Sequence, residues 1–407
     1  MSLSGSLLNA YSGLVAASRG AETVSQNVAN ALTEGFGRRE IALSAGSLNG
    51  RGIGVRVDGV LRDVDQVAIT DRRLSEAGLS KSGVLTSAYA RIERVIGIPG
   101  EGNSLSDRAS AFAQALNEAG SRPDSEVRLQ RLTYAATDLA NHLNAIGDES
   151  QAMRLAADHD IGDLVDRLNS TLSGIADLNR SIRIQQATGR DANGLMDQRQ
   201  ALVDTVAGMV PIRTYPRDFG GLAITSAGGA MLLDGKPAEF AFSRATMITA
   251  DMTLASGALS GLTLNGKAVT IGTGSGSGLL DGGALAAEFE VRDAVAPFAA
   301  AEVDALARNL IERLQDPLVD PTLAVGDAGL FTDMGSAFDP LLETGLASRI
   351  RINSRIDPDQ GGDLWRLRDG LGAATPGPVG DGALLVRMAD AYTLPILPAS
   401  GQFSVGR

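Results

Sequence analysis

Few residues of this chain are spaced for chemistry. The two histidines of its 407 residues, His142 and His159, stand on one stretch that reads as helix, too far apart to share a metal ion. The absence of cysteine removes disulfides, thiolate ligation and thiol nucleophiles together. Gly261-Leu262-Thr263-Leu264-Asn265-Gly266-Lys267-Ala268 follows the phosphate-loop pattern until Ala268 takes the place of the hydroxyl that would meet magnesium. Asp357-Pro358-Asp359-Gln360-Gly361-Gly362-Asp363 has the composition of a calcium loop without its third regular acidic ligand or closing Glu. Asp, Pro and Gly in that density also make an ordinary turn. No nucleophile elbow, zincin motif or dinucleotide fingerprint is present. We therefore assign no catalytic, cofactor-binding or metal residue, and expect no cofactor.

The elements around these residues say the same. Leu262 and Leu264, then Asn265-Gly266, then Ala268, Val269 and Ile271 read as a hairpin with a type I′ turn, where a phosphate loop would need a following helix. From about Asp124 to Gln186 there is no proline, and Ile161, Leu164, Leu168, Leu172, Ile175, Leu178 and Ile182 mark a buried edge on one long helix. Asp65 to Ile96, a shorter stretch from Ser106, Asn193 to about Pro211, and Leu285 to Leu314 also read as helices. Ile41 to Leu61 reads as extended. Between Pro211 and Gly283, Gly, Ser and Thr dominate and short alternating runs indicate strands, with Gly272–Gly278 as a linker.

The first helix carries a different signal. Leu3, Leu7, Ala10, Leu14, Ala17, Ala21, Val24 and Val28 step by four and three without a break, the pattern of a coiled-coil seam. Such a stripe gains nothing until something covers it, either its own domain or another helix. No Lys or Arg precedes Arg19, which disfavours a cleaved signal peptide, and the Ser and Asn content excludes a membrane span. A net charge of −12 argues against a nucleic-acid partner. The composition, 44% hydrophobic and 4% aromatic, suits globular domains with Leu, Val, Ile and Ala cores. The expected fold is mainly α with a β-rich inserted domain: an axial heptad helix over 1–35, an elongated helical bundle over 36–210 and 284–407, and a small β domain over 211–283.

Two segments resemble a known family. Ser12-Gly13-Leu14, Val28-Ala29-Asn30 and Gly35-Phe36-Gly37-Arg38-Arg39 resemble the N-terminal signature of bacterial flagellar axial proteins, with Phe36 and Gly37 where that signature has Tyr and Ser. Gly35 and Gly37 are read there as positive-φ hinges. Gly194-Leu195-Met196-Asp197-Gln198-Arg199-Gln200-Ala201-Leu202-Val203 resembles the segment after the long helix in the hook-associated proteins of the hook–filament junction. Ile352-Asn353 and Leu367-Arg368-Asp369-Gly370 match its downstream region. The resemblance implies a non-enzymatic structural subunit of the bacterial flagellum, self-assembling through its N-terminal helix and exported without a cleaved signal. It implies the hook subunit, other hook-associated proteins and an export chaperone as partners. It also implies a second heptad helix at the C-terminal end, which this chain lacks as given, so that a shortened chain is expected. The rival readings are a hook or rod subunit, a flagellum-borne enzyme using acids among Asp218, Asp234, Glu239, Asp251 and Asp281, and an adhesin.

Overall fold

The computed structural model describes residues 3–33, 35–48, 51–271, 278–396 and 398–401. In chain order it forms α1 (Leu3–Ala29), β1 (Arg38–Leu48), β2 (Arg51–Asp63), α2 (Gln66–Ile96), α3 (Leu105–Ser121), α4 (Glu126–Ala187) and α5 (Asn193–Met209). Seven short strands follow: β3 (Ile212–Pro216), β4 (Leu222–Ser226), β5 (Met231–Asp234), β6 (Lys236–Pro237), β7 (Phe240–Ala241), β8 (Leu262–Leu264) and β9 (Lys267–Val269). Helices return as α6 (Gly283–Glu290) and α7 (Ala296–Leu314), then β10 (Phe331–Asp333), β11 (Ile350–Ile352), α8 (Arg366–Asp369) and α9 (Ala383–Thr393). The fold is mainly helical with small antiparallel sheets. Most of the linker read over Gly272–Gly278, namely 272–277, lies outside the described residues, as do Glu34, Leu397 and Gln402–Arg407.

The chain forms two compact units. The first contains Met1–Gly83, Ile161–Ser243 and Gly261–Ala287; the second contains Val84–Asp160, Arg244–Ser260 and Glu288–Arg407. Helices α2 and α4 contribute to both. All of β3–β9 belongs to the first unit, and its small sheets do not close a core of their own. Four strands in the order β3-β4-β5-β6 and three in the order β7-β8-β9 have too little area to bury Ile224, Leu232, Leu233 and Leu262 by themselves. Helix α4 supplies the cover. Asn179 donates to the Leu222 carbonyl at 2.8 Å, and Asn169 pairs both ways with the Phe240 backbone, at 2.8 and 2.9 Å. On the same helix Leu168 is fully buried with Leu172, Ile175 and Ile182, as the periodicity predicts. The β8–β9 turn has Asn265 and Gly266 at φ 52° and 75°, the paired left-handed conformation of a type I′ turn.

The second unit is built around Phe112, Leu116, Leu132, Ile146, Ile311, Leu314 and Phe331, with Phe112 edge-on to Phe331 and Tyr392. Helix α3 starts slightly earlier than its Ser106-Asp107 suggests: Ser104 is the N-cap and Asp107 closes a capping box on it. The stretch read as one helix from Leu285 to Leu314 is interrupted by a π turn at Val291–Val295. Pro297 explains it, since its ring cannot sit against a regular preceding turn and it has no N–H to donate. The Arg292 carbonyl, which the widened turn would aim at that missing N–H, instead accepts from Arg154 Nε at 3.1 Å. Arg292 itself is fully buried, held by Asp158 at 2.8 Å and Asp293 at 2.8 Å.

Candidate functional site

All eight residues expected at the seam of α1 are exposed: Leu3, Leu7, Ala10, Leu14, Ala17, Ala21, Val24 and Val28. Leu3 is 92% exposed and Val28 73%. The helix is nevertheless anchored, by another stripe. Ser12, Ala16, Gly20, Thr23 and Asn27 also step by four and three, with small or polar side chains, and this stripe faces the β1–β2 hairpin. Ser12 Oγ accepts from the Val55 N–H at 3.1 Å. Asn27 grips the Arg39 backbone from both sides, donating to its carbonyl at 2.8 Å and accepting from its N–H at 2.9 Å. Gly54 lets the hairpin approach, because a Cβ there would lie 2.0 Å from Ser12 Oγ. Hydropathy marks the apolar stripe and passes over the polar one, although the spacing of the second is just as helical.

The two signature segments, 160 positions apart, meet at Asp197. Its carboxylate accepts from the Gly37 N–H at 3.0 Å, Arg39 Nη2 at 3.1 Å and Arg62 Nε at 2.8 Å. Arg62 also donates to the Gly35 carbonyl at 3.2 Å. All three charged side chains are mostly buried, so the contact is largely shielded from solvent. The guanidinium of Arg39 lies 5.0 Å over the Phe36 ring. Gly35 has φ 79° and its Cα backs onto the Asp197 carbonyl, so it is the hinge expected. Gly37 is not: its φ is not positive, and glycine is needed there because a Cβ would lie 2.2 Å from Arg62 Nε. A second clamp joins α2 to α5, with Arg72 and Arg73 on Asp204 at 2.6 and 2.7 Å.

The remaining motif residues diverge. Arg38 points outward and pairs with Glu40 at 2.7 Å, and Gln198 is exposed. Arg199 turns the other way, donating to Asn179 Oδ1 at 2.7 Å and to the Gly220 carbonyl at 2.6 Å. Burial, and secondly the charge of Arg62, lower its pKa to about 10. Arg62 is the functional residue least visible in the sequence, since nothing in a β run tells that one arginine reaches a carboxylate 135 positions away.

The chemistry-bearing candidates are engaged in structure. His142 Nε2 meets the Ile96 carbonyl at 3.3 Å and His159 Nε2 meets that of Ala245 at 3.2 Å. Asp357 accepts from the Asp359 N–H at 3.1 Å and Gln360 Nε2 at 2.7 Å, capping a short turn. Asp234 is paired with Arg217 and Asp251 with the Thr249 hydroxyl. Among the described residues no three His, Asp or Glu side chains gather as metal ligands, and no helix is long and apolar enough to cross a membrane. The site is a packing and anchoring site.

Comparison with known proteins gives it a context. The family model for the flagellar hook-associated protein FlgK helical domain matches residues 89–316, more than half of the chain. Flagellar hook-associated protein 1 of Salmonella typhimurium is 31% identical over 247 residues, covering 58% of this chain and 43% of its own length. The Escherichia coli protein of the same name is 30% identical over 243 residues, covering 57% and 43%, and the Bacillus subtilis one 26% over 224 residues, covering 52% and 44%. The chain thus spans less than half the length of these curated relatives. The solved flagellar hook junction protein FlgK from Burkholderia pseudomallei is similar at a TM-score of 0.47 and 21% identity, over 64% of this chain and 46% of that one. On the match to its helical domain, the chain belongs to the flagellar hook-associated protein FlgK family.

Proposed function

We propose that this chain is a structural subunit of the bacterial flagellum that assembles at the junction of hook and filament, with α1 as its assembly element. The observation that carries the reading is the division of labour on α1: one stripe is pinned to its own hairpin while all eight residues of the apolar stripe are left to solvent. A helix already anchored can accept a second helix without first being ordered, which lowers the entropic cost of joining an assembly. Burying Leu3, Leu7, Leu14, Val24 and Val28 is worth about 8–15 kcal/mol before ordering costs, at about 1.5–3 kcal/mol for each side chain. Membership of the hook-associated family supports the partners: further copies of this chain, the hook subunit, other hook-associated proteins and an export chaperone. It supports a non-enzymatic role outside the cell, reached without a cleaved signal.

The test is a triple variant, Leu7→Gln, Leu14→Gln and Val28→Gln, made in the chain and offered to isolated hooks. The seam side chains are exposed and Gln is a good helix former, so Tm stays within about 2 °C of the parent. Addition to hooks is lost. Unchanged addition, or a collapse of Tm, overturns the reading.

A further inference from the structure

In the second unit, the end of α2, the first residue of α3 and the run from α6 into α7 enclose an apolar groove of about 640 Å3. Tyr89 on α2 and Phe298 on α7 line it and are 57% and 52% exposed, so two large rings face an open trough. Its two charged side chains, Glu290 and Glu302, are both acidic. An apolar trough of this kind is normally covered.

The chain itself runs toward this groove. After α9 it returns along α7, and its contacts with that helix mark the path. The carbonyls of Leu394 and Ile396 each accept from Arg313 at 2.6 Å. Ser400 Oγ donates to Glu343, which pairs with Arg308 at 2.8 Å. Gly401 then lies directly on the helix, where a Cβ would be 3.0 Å from Ala305 Cβ and 3.2 Å from Glu302 Oε2. The path thus moves from Arg313 past Arg308 to Glu302, toward the N-terminal end of α7. Since Glu302 also lines the groove, Gly401 stands at its rim.

The sequence continues as Gln402-Phe403-Ser404-Val405-Gly406-Arg407. Six residues reach about 20 Å at about 3.3 Å each, and the helix from Glu302 back to Glu290 is about 18 Å long at about 1.5 Å per residue. Phe403 and Val405 alternate with Gln402 and Ser404, so an extended course would put both apolar side chains on one side. The one charge of the segment, Arg407, is opposite in sign to the two glutamates of the groove. We propose that residues 402–407 continue along α7 and cover this groove, with Phe403 and Val405 packed between Tyr89 and Phe298 and Arg407 meeting Glu290 at the far end.

The experiment is cysteine cross-linking in the full chain, which has no cysteine of its own. Tyr89→Cys is combined with Val405→Cys and oxidised at low protein concentration. The expected product is a monomer with an internal disulfide, read by its migration on a non-reducing gel. The control pair is Val386→Cys with Val405→Cys, because Val386 is exposed on α9 beside Gly120, at the opposite end of α3 from the groove. The control should close at least about tenfold more slowly, since a disulfide needs its two Cα atoms within about 7 Å. Phe403→Gln should slow closure of the Tyr89→Cys pair about tenfold and, in the chain without cysteines, lower Tm by at least about 3 °C. Equal rates for the two pairs, or no closure of the first, overturn the proposal. So does a Phe403→Gln variant that changes neither rate nor Tm. A disulfide-linked dimer as the main product would seat the segment in the groove of a second copy and overturn its assignment to its own chain.

Discussion

A single carboxylate carries the joint between the two signature segments. Asp197 neutralises Arg39 and Arg62 and takes the Gly37 N–H, so removing its charge leaves two mostly buried guanidinium groups facing each other. We expect Asp197→Asn to destabilise the first unit by about 2–4 kcal/mol, whereas Gln198→Ala, next to it but exposed, stays within about 0.5 kcal/mol. Urea titration followed by circular dichroism reads both. Equal effects of the two substitutions would mean that the cluster contributes nothing beyond ordinary surface pairs. The residues at this joint were half legible. Gly35 and Asp197 stood in recognisable segments, but the charges they meet come from long-range packing that no local spacing records.

At the scale of elements, regular spacing was a faithful guide where a helix or turn is decided locally. The proline-free run predicts α4, and Asn265-Gly266 predicts the I′ hairpin that rules the phosphate-loop reading out. It failed where one element carries two messages. Helix α1 has an apolar stripe and a polar stripe of like period, and only the apolar one announces itself by hydropathy. The π turn after α6 was missed for a related reason: the apolar period passes through Val291–Val295 almost unbroken, while a single Pro297 resets the backbone. The polar stripe predicts a gradient along α1. Asn27 holds the C-terminal end through two bonds to the Arg39 backbone, and Ser12 gives the N-terminal half one bond to Val55. Amide exchange should therefore be slowest near Asn27 and speed up toward Leu3, and Asn27→Ala should accelerate it by about tenfold along the whole helix. Uniform exchange in both proteins would show that α1 is not held by these bonds.

The whole molecule depends on pH through a group that took no part in the sequence argument. Glu288, half-buried beside Asp160, has its pKa pushed up to about 7, by burial first and by the Asp160 charge second. A carboxyl raised on folding adds stability that is complete below the ordinary Glu value of about 4.3 and is lost as pH rises through about 7. Glu288→Gln should then stabilise the chain by about 1–3 kcal/mol at about pH 8 and change little at about pH 4.5, measured as Tm across that range. A constant difference over all pH would assign the effect to packing. Charge also governs how the exposed stripe of α1 behaves in solution. Five large aliphatic side chains in line on one helix are a sticky strip that each molecule presents to every other. Mutual repulsion between chains of net charge −12 opposes that contact. Near pH 4.8 that repulsion vanishes, and in strong salt it is screened, so the exposed strip then governs how readily free chains stick to one another. The free chain keeps best dilute, at low ionic strength and at a pH above 4.8 but below about 7.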